Sequence, residues 1–281
     1  MRRMRAEEMV RAADGIDLFM RVWLPTCVPR SMVVICHGLG DHSGRYDHVG
    51  CFLAGRGHMT FAYDHRGQGK SGGVRGHIER FSDYYRDLNT VLAAIKWRQP
   101  QAPVFVVGHS MGGLIALGFA QRHPEALTGL VASSPCLALR MQVPPAKRIL
   151  GRVAARVSPR LALDAGIAAE HLSHDPVVVA TYKADPVREP KVTAGFFVEF
   201  SQAMEDVTGG AGVLTVPVLI MAAGDDRLCD TSTTVRFHQQ VASADKTLMV
   251  WDGMYHEIFN EPDKGKVLEV MEQWMSERIS G

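Results

Sequence analysis

The sequence predicts an α/β protein with a mostly parallel central sheet, helices on both faces and one helical insertion. Three observations carry this. Short β-branched runs ending in small or polar residues recur along the chain, segments of helical length separate them, and the alternation fails only between about Cys136 and Gly212. Taken in order, the strands are "MVVICHG" (32–38), "TFAYD" (60–64), "VFVVGHS" (104–110), "LTGLVASS" (127–134), "VPVLIMAAGDD" (216–226) and "TLMVWDG" (247–253). Continuous apolar runs of this kind belong to strands buried on both faces. The helices fall at about 45–57, 82–98, 111–123, 232–242 and 263–279, with Ser82 placed to cap the second. In such doubly wound sheets, chemistry gathers at the carboxyl ends of the strands.

Between strands, residues 136–212 break the pattern with Pro144, Pro145, Pro159, Pro176, Pro186 and Pro190. No strand pattern and no linker marks this stretch as an autonomous domain. It reads as a cap over the strand ends, leaving 1–135 and 213–281 as one core domain.

The composition narrows the classes. With 281 residues, 46% hydrophobic, 22% charged and a net charge of +1, the chain is globular and has no global attraction to nucleic acid. The opening "MRRMRAEEMV" is basic but no long apolar run follows it, so neither export nor membrane spanning is expected. Five cysteines (Cys27, Cys36, Cys51, Cys136, Cys229) without CxxC spacing suit a reducing cytoplasm rather than a disulfide framework or a zinc site.

The string "GHSMG" follows the strand 104–107 and opens a helix at about Met111, which places Ser110 at a sharp strand-to-helix turn. Residues two before and two after such a serine must be tiny, and Gly108 and Gly112 are. A serine hydroxyl needs a histidine to take its proton and a carboxylate to hold that histidine, in the chain order Ser, acid, His. "AAGDDRLCD" supplies Asp225, Asp226 and Asp230 at a strand end; Asp226 is the choice, Asp225 its rival, and Asp230 suits a helix cap. Of the histidines beyond them, His238 lies in a helical stretch and His256 in the loop after the last strand, so His256 is the general base. The oxyanion donors are the backbone N–H groups of Leu39, in the loop "CHGLGDHSGRYDH" that follows the strand 32–38, and Met111.

Two rival sites fail on their details. His37, Asp41, His42 and His48 approach a metallo-hydrolase pattern, but Leu39 stands where the second ligand is needed, so no metal is expected. The glycine-rich "DHRGQGKSGG" (64–73) lacks phosphate-loop spacing and reads as a structural turn.

"HGLGDHSGRYDHV", "DHRGQGKSGG", "GHSMGG", "GDDRLCD" and "YHEIFNEP" together resemble the monoacylglycerol lipases and related lysophospholipase-like α/β-hydrolases. The likeness spans 16–135 and 213–279, and in the cap only "DPVVVATYKADPV" (175–187). It implies an α/β-hydrolase fold and a lidded esterase that cleaves a single acyl chain from glycerol through an acyl-enzyme on Ser110, with no cofactor. It also implies that Asp41, Arg45 and Tyr182 hold the glycerol head. The family usually carries glutamate where Asp41 stands, and Arg45 also suits a plain ion pair.

The cap chemistry bears on the substrate too. From Ala126 to Leu163 there is no acidic residue, while Arg140, Lys147, Arg148, Arg152, Arg156 and Arg160 are basic, and Ile149, Leu150, Val153 and Val157 recur at helical spacing. Such a helix can rest on an anionic membrane or pack its apolar face inward. A lysophospholipase, a carboxylesterase or a thioesterase would use the same triad, and the lysophospholipase reading expects a basic head-group pocket near Tyr182. A non-catalytic ligand-binding protein of this fold would need a broken triad.

Overall fold

The computed structural model describes residues 5–140, 151 and 153–279. Its strands are β1 (Arg5–Arg11), β2 (Asp17–Trp23), β3 (Ser31–Cys36), β4 (His58–Tyr63) and β5 (Val104–His109), then β6 (Gly129–Ser133), β7 (Ala162–Asp164), β8 (Lys191–Thr193), β9 (Val218–Ala223) and β10 (Lys246–Trp251). Eight of them form one sheet in the order β1-β2-β4-β3-β5-β6-β9-β10. From β4 to β10 all neighbours are parallel, and β1 and β2 add an antiparallel edge. The helices are α1 (Asp47–Gly55), α2 (Ser82–Lys96), α3 (Met111–Ala120), α4 (Pro176–Ala184), α5 (Ala194–Gly209), α6 (Thr231–Gln240) and α7 (Lys264–Glu277).

Every residue of β3, β4, β5, β6 and β9 is buried, which is why these strands read as unbroken apolar runs. On one face Val49 and Leu53 of α1 pack with Val267, Met271 and Trp274 of α7; on the other lie Leu88 and Val91 of α2, Leu114 and Phe119 of α3, and Phe237 of α6. Two sheet strands escaped the pattern. β1, "RAEEMVR", alternates exposed and half-buried positions at the sheet edge, and β2 follows it by a tight turn. Ser82 does not cap α2 from outside; it is the first helical residue. Asp83 Oδ2 accepts from the Arg80 N–H at 3.1 Å instead, so the acid one residue on satisfies a free end of the backbone.

Within the sheet, β3 pairs with β4 on one side and β5 on the other. Chain connections diverge there, the place where sheets of this kind carry their sites, and the loops after β3 and β5 meet at the carboxyl ends.

The insertion between β6 and β9 is helical at 151 and 153–157 and in α4 and α5, but it does contain strands: β7 and β8 pair antiparallel, with Leu163 opposite Val192. Three residues each, with β7 fully exposed, they left no periodic trace in the sequence. Phe196, Phe200, Ala203 and Val207 of α5 belong to the same apolar cluster as α3, so the insertion shares the core. Lys147, Arg148, Ile149, Leu150 and Arg152 lie outside the described residues. Val153 and Val157, which could have packed inward, are 51% and 81% exposed.

Candidate active site

Where β5 passes into α3, Ser110 adopts φ 55° and ψ −118°, a conformation that costs a non-glycine residue about 1–3 kcal/mol and needs support from its surroundings. Packing supplies the support. A Cβ on Gly108 would sit 2.3 Å from the Gly112 carbonyl oxygen, and one on Gly112 would sit 2.0 Å from that of Cys36. Both positions therefore have to be glycine. Ser110 N–H donates to the Ser133 carbonyl at 2.9 Å, and its own carbonyl accepts from Cys136 N–H at 3.0 Å. Of residues 104–120, Ser110 alone is not fully buried. The fold hides the corner and leaves its hydroxyl reachable.

The loops after β9 and β10 bring Asp226 and His256 together, with His256 Nδ1 and Asp226 Oδ2 2.7 Å apart and both side chains nearly inaccessible. Asp226 Oδ1 accepts from the N–H groups of Leu228 and Cys229 at 2.8 and 2.9 Å. Burial alone would raise the Asp226 pKa, but the His256 charge and hydrogen bond, with those two N–H donors, bring it below the usual carboxylate value. Burial likewise opposes a charged His256, yet Asp226, with a further contribution from Glu257, moves its pKa above the ordinary value. An imidazole in this setting accepts a proton readily and keeps Nε2 for it. Asp225 instead points outward, 43% exposed beside Arg140 and Arg227. Asp230 caps α6 and His238 lies within that helix.

Cys229 links the dyad to the serine. Side-chain donor atoms of Asp226, Cys229 and His256 all lie within 4.8 Å of one another. The Cys229 thiol, held protonated by its contact with Cys136 and by burial, also interacts with the Ser110 hydroxyl. The His109 ring packs 4.8 Å from the His256 ring, and burial depresses the His109 pKa to about 3, so this neighbour stays neutral.

Leu39 is the one residue of 31–43 that is not fully buried. Its loop lies against the serine, since a Cβ on Gly38 would be 3.4 Å from Ser110 Cβ. Among the described residues, neither Leu39 N–H nor Met111 N–H donates to a protein acceptor. Two free donors thus flank the corner, one of them at the positive end of α3.

The remaining residues of interest gather beside this corner. Arg45 forms a two-pronged ion pair with Glu257, Nη1 to Oε1 at 2.7 Å and Nη2 to Oε2 at 2.8 Å, and its Nη1 also lies 3.3 Å from Asp41 Oδ2. All three side chains are at least nine-tenths buried. Burial pushes Asp41 upward; burial of Glu257 is outweighed by Arg45, which holds it down at about 2. Tyr182 of α4 is buried with its ring 4.9 Å from the Arg45 guanidinium. Sequence reasoning missed Glu257, although it directly follows His256; its partner is 212 positions away.

The histidines of the first loop do not converge. His37 Nε2 accepts from His65 N–H, His42 Nε2 meets Asp185 Oδ2 at 2.8 Å, and His48 Nε2 meets the Phe259 carbonyl. Residues 64–73 form a turn tied by Asp64, whose carboxylate accepts from Ser43 and Lys70 N–H, and by Ser71, which donates to the Asp64 carbonyl.

Comparison with known proteins gives the family and the fold. The model of the Hydrolase_4 family, described as "Serine aminopeptidase, S33", matches residues 28–263. The chain is 34% identical over 272 residues to a monoacylglycerol lipase of Mycolicibacterium smegmatis, covering 96% of this chain and 97% of that one. It is 32% identical over 254 residues to the phospholipase YtpA of Bacillus subtilis, covering 89% of this chain and 97% of the relative. The crystal structure of a Paleococcus ferrophilus monoacylglycerol lipase superposes with a TM-score of 0.83 at 29% identity, over 100% of this chain and 99% of that one.

Proposed function

The chain belongs to the Hydrolase_4 family, and on that premise we propose that it hydrolyses monoacylglycerols to a free fatty acid and glycerol, with Ser110, Asp226 and His256 as its triad. It is a carboxylic ester hydrolase. The observation that carries the reading is the buried Asp226–His256 pair set beside a reachable, conformationally constrained Ser110.

In the proposed mechanism, Ser110 Oγ attacks the ester carbonyl as His256 Nε2 takes its proton. Negative charge forms on the carbonyl oxygen and is met by Leu39 N–H and Met111 N–H. As the intermediate collapses, the ester C–O bond breaks and His256 returns the proton to the departing glycerol oxygen. Water, deprotonated by His256, then attacks the acyl-enzyme, and the fatty acid leaves with Ser110 restored. Asp41, Arg45 and Tyr182 frame the glycerol head, with Asp41 able to accept from a hydroxyl and Arg45 braced by Glu257. No cofactor enters these steps.

We further infer that residues 136–212 act as a lid that rests transiently on a membrane. Val153, Val157, Leu161 and Leu163 are exposed in the same stretch of chain as the exposed Arg156 and Arg160, an apolar and basic surface suited to lipid. No described helix is long and apolar enough to cross a bilayer. The five free thiols fit the reducing cytoplasm.

The test is hydrolysis of 1-monooleoylglycerol, lysophosphatidylcholine, palmitoyl-CoA and short nitrophenyl esters by wild type and Ser110→Ala. Turnover of the monoacyl esters that vanishes with Ser110→Ala supports the reading. Predominant thioester cleavage overturns the substrate and spares the mechanism. Ligand binding without turnover makes the chain a non-catalytic member of the fold.

A further inference from the structure

Resting on the triad and the oxyanion donors proposed above, we propose that His37 and His65 are positioning residues, which together hold the Gly38–Leu39 peptide in the orientation that aims the Leu39 N–H at the oxyanion.

The backbone donors around this peptide are committed. Gly40 N–H donates to Gln68 Oε1 at 2.9 Å, His42 N–H to Asp41 Oδ1 at 2.8 Å and Ser43 N–H to Asp64 Oδ1 at 2.7 Å. Leu39 N–H, by contrast, meets no protein acceptor among the described residues. At the other edge of the same peptide unit, the Gly38 carbonyl lies 2.8 Å from His37 Nδ1. A peptide is planar and trans, so its C=O and N–H point in opposite directions. Holding the carbonyl on His37 therefore fixes the N–H on the far side. Gly38 itself offers no side chain to resist rotation, and a Cβ there would be 3.4 Å from Ser110 Cβ, so the peptide passes close to the nucleophile. Without the bond to His37 it is free to turn over and present a carbonyl oxygen where negative charge must form.

Only one tautomer of His37 can do this. His65 N–H donates to His37 Nε2 at 2.9 Å, which leaves the ring proton on Nδ1. Burial pushes the His37 pKa down to about 3, so the ring stays neutral. His65 holds the loop with its own ring as well, since its Nε2 lies 3.0 Å from the His37 carbonyl and has to be the donor there. That leaves His65 Nδ1 buried and without a partner among the described residues, a cost that the fixed loop must outweigh. His65, Gln68 and Asp64 all belong to the glycine-rich turn 64–73, so this turn acts on the reaction through the loop that it braces.

The experiment uses a short nitrophenyl ester, which makes it independent of the lipid head group. Wild type is compared with His37→Asn, whose Nδ2 can replace Nδ1 as donor, and with His37→Gln, whose longer side chain can still accept from His65 but carries no donor at that point. Affinity for an alkyl trifluoromethyl ketone, whose adduct with Ser110 bears an anionic oxygen, is measured beside that for the matching alcohol, which forms no adduct. His37→Gln should lower kcat by about 10²-fold, the scale for one lost oxyanion donor, with KM changed by less than about twofold. It should weaken the ketone by a similar factor and leave the alcohol unmoved, and His37→Asn should recover at least about tenfold of both losses. Should His37→Gln prove poorly folded by thermal unfolding, His65→Leu, which keeps its backbone N–H on His37 and loses only the ring bond to the loop, should show the same pattern at about tenfold. Equal losses in His37→Asn and His37→Gln, a change in KM instead of kcat, or equal weakening of ketone and alcohol gives these histidines a plain structural role and overturns the proposal while the triad stands. A wild type inert towards every ester and thioester, or a Ser110→Ala variant as active as wild type, overturns the hydrolase reading and the proposal with it.

Discussion

At the corner carrying Ser110, everything else from 104 to 120 is buried and a single added methyl group on Gly108 or Gly112 would collide with backbone. In the insertion above it, Val153, Val157, Leu161 and Leu163 lie open. The insertion meets the loop after β3 through a few links: His42 to Asp185, Glu189 to Gly40, Arg45 to Tyr182. The first region is specified by steric exclusion, which tolerates almost no variation. The second is specified by contacts that can be changed one at a time. The contrast says where chemistry and selectivity reside, and it can be broken by measurement.

The largest effect belongs to the corner. Ser110→Ala should lower kcat by about 10⁶-fold, the scale for removing a triad serine. Asp226→Asn should cost about 10⁴-fold through loss of the correct imidazole tautomer, whereas Asp225→Asn, at an exposed side chain, should change kcat by less than about threefold. Reversal of those two results would move the acid to Asp225. Gly112→Ala should destabilise the fold by about 3 kcal/mol or more, read by thermal unfolding, because the new methyl meets the Cys36 carbonyl rather than a movable side chain.

Between the regions stands Glu257. His256 must be neutral to act as a base, and its raised pKa places the acidic limb of kcat/KM above about pH 6.5, the ordinary imidazole value. Glu257 contributes to that rise, so Glu257→Gln should move the limb to lower pH, and the Arg45 charge, left with Asp41 in place of two carboxylates, acts in the same direction. A merely structural role would lower activity without shifting the limb. Because folding brings Glu257 down to about 2, its contribution to stability is present above the usual glutamate pKa and is lost as pH falls towards 2. Wild type should therefore lose more stability than Glu257→Gln on acidification through that window.

The smallest effects belong to the lid. Asp185→Asn weakens its link to His42 and should raise KM for long-chain esters a few-fold while sparing short nitrophenyl esters. Val153→Ser with Val157→Ser should weaken sedimentation with anionic phosphatidylglycerol vesicles by several-fold at unchanged kcat on a soluble ester. Unaltered sedimentation would remove the lid surface from membrane contact.

The same contrast explains what could be read in advance. The sharp corner at Ser110 and the pairing of Asp226 with His256 were legible because the tight corner, the strand ends and the chain order are local or ordinal features of the sequence. β3, β4, β5, β6 and β9 were legible because burial on both faces leaves an unbroken apolar run. β1 was not, since a polar edge strand looks like loop, and β7 and β8 are too short for any period to show. Glu257 and Arg45 are 212 positions apart, and no local pattern announces that one braces the other. The sequence left Arg45 open between substrate contact and ion pair; the fold gives it the ion pair.

One consequence follows from the neighbouring positions of β6 and β9, where Leu130 stands opposite Val218 and Ser133 opposite Met221. The two strands are parallel, so the chain leaves the sheet at the carboxyl end of β6 and must travel back to the opposite edge before it enters β9. On that way back α5 lays Phe196, Phe200 and Val207 into the core, which ties this part of the insertion to the rest of the fold. The stretch ahead of α5 carries no such duty and can change in length at about 0.6 kcal/mol per doubling of a loop, so selection has freedom there and little in α5.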